Sequence, residues 1–237
     1  GEFRDCMNEE APYLWIFSDD KGHFNFGFSY SKSSPEFILK PSEDFKENTL
    51  YVPYGKAEKY MEFAVSNAMM LLYTFCTTPL DTLMVHASVI EHSEGGYMFL
   101  GKSGTGKSTH SRLWLNYIDD TELLNDDNPI VRLIEGETYI YGSPWSGKHG
   151  LDSNICLPLQ GICFLKRGKD NRIHRITSEE CFDALCAQCY IPEDASLRSK
   201  AISLLQSLSQ FVPLWEMECT KDSSAALVSY EAMSGLL

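Results

Sequence analysis

The stretch that most constrains the fold is Gly101 to Thr109, GKSGTGKST, which fits the phosphate-binding pattern G-x-x-x-x-G-K-[ST] with Gly101, Gly106, Lys107 and Ser108 on its fixed positions. The apolar run Tyr97-Met98-Phe99-Leu100 enters it as a short buried strand. Leu113, Trp114, Tyr117 and Ile118 follow at helical spacing. The motif therefore predicts a strand, a tight turn and a helix in immediate succession. Glycines at 101, 104 and 106 let the backbone curl so that successive N–H groups and the positive end of the helix face one anion. On this reading Ser103, Gly104, Thr105 and Thr109 complete a nucleotide-binding loop. Lys107 reaches the β- and γ-phosphates, and Ser108 holds Mg²⁺.

Charge agrees with a nucleotide and argues against nucleic acid or an anionic membrane. There are 33 acidic and 20 basic residues, a net charge of −13, so a polyanion must be drawn to a local pocket against the overall field. At 237 residues the chain can bury a sizeable core as one large domain with a smaller appendage, and a homo-oligomer is permitted without being required. We expect a β-rich region over 1–55 and a catalytic domain over 56–237. The eight cysteines are read as thiols of a reducing, cytoplasmic compartment. Cys181, Cys186, Cys189 and Cys219 match a plant-type iron–sulfur spacing. The first three, however, fall on one apolar face of a helix predicted over 178–190, opened by a Thr177/Glu180 capping box. No signal peptide opens the chain, and residue 1 is Gly rather than Met, so a native segment upstream is left open. The apolar stretch 61–75 carries Glu62, Ser66 and Asn67 and is read as a buried helix rather than a membrane span.

In order, strands are expected at YLWIF, FNFGFSY, FILK and TLYVPY, with Phe24, Phe26, Phe28 and Tyr30 on one face, packed on a helix over 57–75. LMVHASVI at 83–90 is read as one strand carrying His86, turning through HSEGG into the strand before the loop. TELLNDDNP then offers a strand ending in Asp126 and Asp127. Paired carboxylates at a strand end suit metal and base work, and an Asx-type turn before Pro129 is the plainer alternative. IVRLI and TYIYG form a hairpin through EGE and run into SPWSGKHG, where Trp145, Lys148 and His149 are candidate substrate contacts, with Trp145 folded back onto the core as the plainer alternative. GICFLKR is expected to pair with RIHRIT across RGKDN. A helix over 195–211, a strand at VPLWEMEC and a last helix close the chain.

Taken together, His86, the loop and the Asp126-Asp127 pair resemble the catalytic domain of HPr serine kinase/phosphorylases and their kinase relatives in peptide-modification gene clusters. The SGTGKST core also resembles ATP-dependent phosphoenolpyruvate carboxykinases. The resemblance covers about residues 83–130 and weakens toward the C-terminus. It implies an α/β, carboxykinase-like fold with a mixed, bent sheet. It also implies Asp126 as general base, Asp127 as its metal-associated neighbour, Lys107 and Ser108 as the loop lysine and metal-binding hydroxyl, and His86 as a histidine assisting phosphate chemistry. Two departures stand out: SPWSGKHG replaces the glycine-rich signature of the HPr kinases, and the carboxykinase oxaloacetate-binding arginine and manganese ligands have no match. The implied activity is ATP- and Mg²⁺-dependent transfer of a γ-phosphate to a serine-like hydroxyl of a peptide or small protein. A small-molecule kinase, a reduced carboxykinase relative and a non-catalytic nucleotide-gated module are the competing readings.

Overall fold

A computed structural model describes residues 13–20, 22–55, 58–147, 153–192 and 194–235, in two compact units, 1–76 and 77–237. The first unit is an antiparallel meander of β1 (Tyr13–Ser18), β2 (Phe24–Ser29), β3 (Phe37–Pro41) and β4 (Asn48–Tyr51), with the helix α1 (Glu58–Thr77). Alternation along β2 aims Phe26 and Phe28 at the helix. Phe26 meets Phe75 edge-on at 5.0 Å, and Phe28 meets Phe63 at 6.2 Å. Tyr30, half exposed, stacks on Phe63 at 3.9 Å. β4 stops at Tyr51 rather than at Tyr54, since Pro53 has no N–H to give a ladder. α1 runs 20 residues, past the apolar stretch at both ends, and buries only its sheet-facing side; Met61, Val65 and Met69 are exposed. By length and composition alone it also meets the criteria for a membrane-crossing helix.

The second unit is a mixed sheet with helices on both faces. Its strands are β5 (Thr82–Met84), β6 (Ser88–His92), β7 (Gly95–Leu100), β8 (Thr121–Asn125), β9 (Ile130–Ile134), β10 (Glu137–Tyr141), β11 (Cys156–Arg167), β12 (Arg172–Arg175) and β13 (Leu214–Cys219). The order is β5-β9-β10-β11-β7-β6-β8, with β13 also pairing β11 and β12 lying outside β13. The long β11 curls the sheet: its first residues pair antiparallel with β10, and its second half runs parallel to both β7 and β13. Period-two patterning divides the core. Met98, Leu100, Ile162 and Phe164 face α3 (Ser178–Cys186) and α4 (Ala195–Phe211). Phe99, Cys163 and Leu165 face α2 (Lys107–Tyr117) and α5 (Ser223–Met233).

Further sequence expectations change in the second unit. LMVHASVI is not one strand: β5 pairs β9, β6 pairs β7 and β8, and the chain changes partners at 85–87, where the His86 N–H donates to the Gln188 carbonyl at 2.7 Å. A continuous apolar run conceals such a switch. β11 and β12 do not pair, because β13 lies between them. α3 has the expected Thr177 capping box but ends at Cys186; the chain then turns, and Cys189 bridges Val85. The turn into β7 is Ser93-Glu94 alone, both at positive φ, so Gly95 and Gly96 belong to the strand. Of the cysteines on α3, Cys181 packs into the core beside Leu185.

Candidate active site

The loop sits at the carboxyl end of β7, flanked by the carboxyl end of the parallel β11, where ligands of α/β sheets collect. All six residues of β7 are buried, so the turn begins from a fixed point. Gly101 has φ 154°, and a Cβ there would stand 3.1 Å from the Leu165 carbonyl oxygen; Gly106 has φ 116°. Within the turn Thr105 donates to the Lys102 carbonyl from N at 3.0 Å and from Oγ1 at 2.6 Å. Gly106 is the N-cap of α2 and provides no side-chain acceptor, so the helix presents its first N–H groups to the loop. Lys107 is 8% exposed, and its Nζ donates to the Gly101 carbonyl at 2.9 Å. Burial pulls its pKa down, while Asp127 and Asp126 pull it back up. Arg167, at the end of β11, donates to the Gly104 carbonyl.

The aspartates lie on a turn after β8 that other segments hold in place. The buried Asn125 side chain accepts the Asp127 N–H at 2.9 Å, an Asx turn, and donates to Ser143 Oγ at 3.2 Å. Ser143 Oγ donates to the Asn128 carbonyl at 2.6 Å and accepts the Trp145 N–H at 3.1 Å, while the Asn128 N–H donates to the Trp145 carbonyl at 2.9 Å. From the β5–β6 break, Ala87 N–H donates to the Asp127 carbonyl at 3.0 Å. Asp126 Oδ1 accepts from Ser88 Oγ at 2.6 Å. The Asx turn and the paired carboxylates are thus one structure rather than alternatives.

Titration follows from these surroundings. Burial raises the Asp127 carboxyl, Lys107 opposing it and Asp126 adding to it. Burial, reinforced by the Lys107 charge, pushes His86 down to about 4. At neutral pH the imidazole is therefore uncharged, and its 3.8 Å approach to Asp127 is a contact rather than an ion pair. Tyr190 beside them is pushed up to about 12, by burial first and then by Asp127.

The structure brings Lys107, Asp126, Asp127 and His86 to one end of the sheet, with His86 in the break between strands rather than on one. Ser103, Gly104 and Thr105 line a cavity of about 510 Å³ closed by the end of β11 and by α3. Ser108 shares a second cavity, of about 450 Å³, with Asp126, Ser111 and Arg112 on the β8 side. Thr109 is half-buried in the first turn of α2. Trp145 is half-buried and tied to the aspartate turn through its backbone. Lys148 and His149 lie outside the described residues. Sequence reasoning missed Ser88, Ser111, Asn125, Ser143 and Arg167. A serine inside an otherwise apolar strand, and one three residues beyond Ser108 on a helix, were the available signals.

Among the described residues no three His, Cys, Asp or Glu side chains come together to hold a metal. Ser108 shares its cavity with Asp126 rather than Asp127, and hydroxyl and carboxylate oxygens are the ligand type of Mg²⁺, which usually takes one or two from protein together with substrate phosphates and water.

No family model matches the chain, and no curated protein matches it. Among solved structures it is similar to the HPr(Ser) kinase/phosphatase from Coxiella burnetii, at 10% identity and a TM-score of 0.38, over 65% of this chain and 95% of that one.

Proposed function

We propose that the second unit is an ATP-dependent phosphotransferase that moves a γ-phosphate to a serine-like hydroxyl of a peptide or protein. The observation that carries this reading is that Asp126 shares a cavity with Ser108 and lies within charge range of Lys107, so a carboxylate stands beside the last two fixed residues of the phosphate loop. The acceptor oxygen attacks Pγ in line, its proton passes to Asp126, and the bond from Pγ to the β,γ-bridging oxygen breaks to release ADP. Lys107 and the N–H groups of the loop and α2 meet the charge that develops on the phosphate oxygens. Neutral His86 offers a hydrogen bond beside Asp127 without adding charge. Ser108 and Asp127 would hold Mg²⁺, which when bound supplies positive charge to the β- and γ-phosphates. The larger cavity, on the other flank of the loop, is of small-molecule size and takes the nucleoside. The 143–149 loop, with Trp145, Lys148 and His149, takes the acceptor, and the compartment is the cytoplasm.

Transfer from Mg²⁺-[γ-³²P]ATP to serine peptides tests this. Asp126→Asn is expected to cut transfer by roughly 10²-fold or more while ATP binds as to the parent, because a base acts mainly in the transition state. Equal transfer by variant and parent would remove Asp126 from the chemistry. ATP binding with no transfer to any acceptor by either protein would favour the nucleotide-gated module.

A further inference from the structure

The hydroxyls of Ser88 and Ser111 form a buried chain that ends on the carboxylate just described. Ser88 is 0% and Ser111 1% exposed; Ser88 Oγ lies 2.6 Å from Ser111 Oγ and 2.6 Å from Asp126 Oδ1. A serine hydroxyl has one proton. Ser88 gives its proton to the carboxylate, which can only accept, so the proton shared between the serines belongs to Ser111. The direction is therefore fixed: Ser111 donates to Ser88, and Ser88 donates to Asp126. Ser111 stands one helical turn beyond Ser108 on α2, and Ser88 opens β6, between β7 and β8. Two short bonds thus join the helix that begins in the phosphate loop to the carboxylate that follows β8. Ser88, with no exposed surface, holds its partners firmly, because water does not reach it to replace a lost bond.

We propose that Ser111 and Ser88 are positioning residues, a two-hydroxyl relay that sets the orientation of the Asp126 carboxylate relative to the loaded phosphate loop. This rests on the reading of Asp126 as the base. The relay moves no proton along itself in the reaction. Its hydrogen bonds hold Oδ1, and the carboxylate so held takes the proton of the attacking oxygen.

Because the natural acceptor is unidentified, the test uses water. In single-turnover hydrolysis of Mg²⁺-[γ-³²P]ATP, a water oxygen bonds to Pγ, the bond to the β,γ-bridging oxygen breaks, ADP leaves and the water proton goes to Asp126. Ser88→Ala is expected to slow phosphate release about tenfold, the fold-change of one lost hydrogen bond to a charged group. Ser111→Ala, acting through Ser88, should slow it about twofold to threefold. Mg²⁺-ATP affinity should stay within about twofold of the parent for both, and Ser88→Ala combined with Asp126→Asn should be no slower than Asp126→Asn alone. Hydrolysis by Ser88→Ala at the parent rate overturns the relay, and so does a rate loss matched by lost ATP affinity or repeated in the Asp126→Asn background. Should Ser88→Ala fail to fold, Ser111→Ala decides alone: a slower rate at unchanged affinity supports the relay, and the parent rate ends it. If the parent binds Mg²⁺-ATP and releases no phosphate, the same variants are read by transfer to serine peptides, where the parent rate in Ser88→Ala overturns the relay and no transfer by the parent removes Asp126 as base and the relay with it. Lys107→Ala binding ATP as well as the parent is a different failure, that of the phosphotransferase reading itself.

Discussion

The phosphate loop and the aspartate turn face each other across Lys107 yet are built in opposite ways. The loop is almost wholly local: a buried strand, glycines at positive φ and a helix start, all within 95–117. The aspartate turn is held from a distance, by Ala87 and Ser88 on one side and by Ser143 and Trp145 on the other. A phosphate cradle needs backbone N–H groups, which contiguous chain can present. A base and a metal ligand need side chains fixed at set angles, which needs neighbours from other strands. The difference predicts that substitutions in the loop strike nucleotide binding, and that those around the turn strike catalysis and stability.

The largest expected effect tests how far the loop is local. Besides the Ser111–Ser88 bond, its helix is anchored at a distance on α5: His110 Nε2 and Trp114 Nε1 both meet Ser229 Oγ, at 2.9 and 2.8 Å. His110 is 2% exposed, its Nδ1 has no partner, and burial pushes its pKa down to about 4. Because the unfolded chain takes up this proton near pH 6.5, the contribution is complete above that pH and is lost as pH falls toward 4. The cost is up to about 3 kcal/mol from a shift of this size. His86 adds in the same direction, and Asp127, raised in the fold, works against both. Denaturant melts at pH 7 and 4.5 should show His110→Gln losing distinctly less stability on acidification than the parent. Equal losses would mean that the anchor is not where acid acts.

Asn125→Ala comes next. It removes the Asp127 N–H acceptor and a Ser143 partner inside the core, so it should cost about 2–3 kcal/mol and reduce phosphate transfer more than ATP affinity. Loss confined to ATP affinity would erase the contrast between the two segments. The smallest effect is Gly101→Ala. At φ 154°, with the Leu165 carbonyl 3.1 Å from the new Cβ, the strain should cost about 1–2 kcal/mol. It should appear as a weaker ATP Kd in calorimetry, with turnover at saturating ATP close to the parent.

The same contrast explains what the sequence could disclose. The loop was legible because its residues are contiguous and each glycine has a local backbone reason. The capping box of α3 and the Ser93-Glu94 and Glu135-Gly136 turns are local too, although the first turn proved shorter than HSEGG suggests. Asp126 and Asp127 could be picked out as residues, but not the atoms that hold them. The run LMVHASVI gives no sign that its strand changes partners at His86, and RGKDN reads as a hairpin although β13, about forty residues later, takes the place between the two strands. These are outcomes of long-range pairing, which a one-dimensional pattern does not encode.

The most direct test of the central claim, that the 101–108 loop binds nucleotide phosphates, is the thermal melt of the parent and of Lys107→Ala with and without Mg²⁺-ATP. At 100 times its Kd the nucleotide should stabilise the parent by about 2.7 kcal/mol, seen as a raised Tm, and the variant by far less at the same concentration. An unmoved parent Tm at saturating Mg²⁺-ATP, or an equal rise in Lys107→Ala, would contradict it.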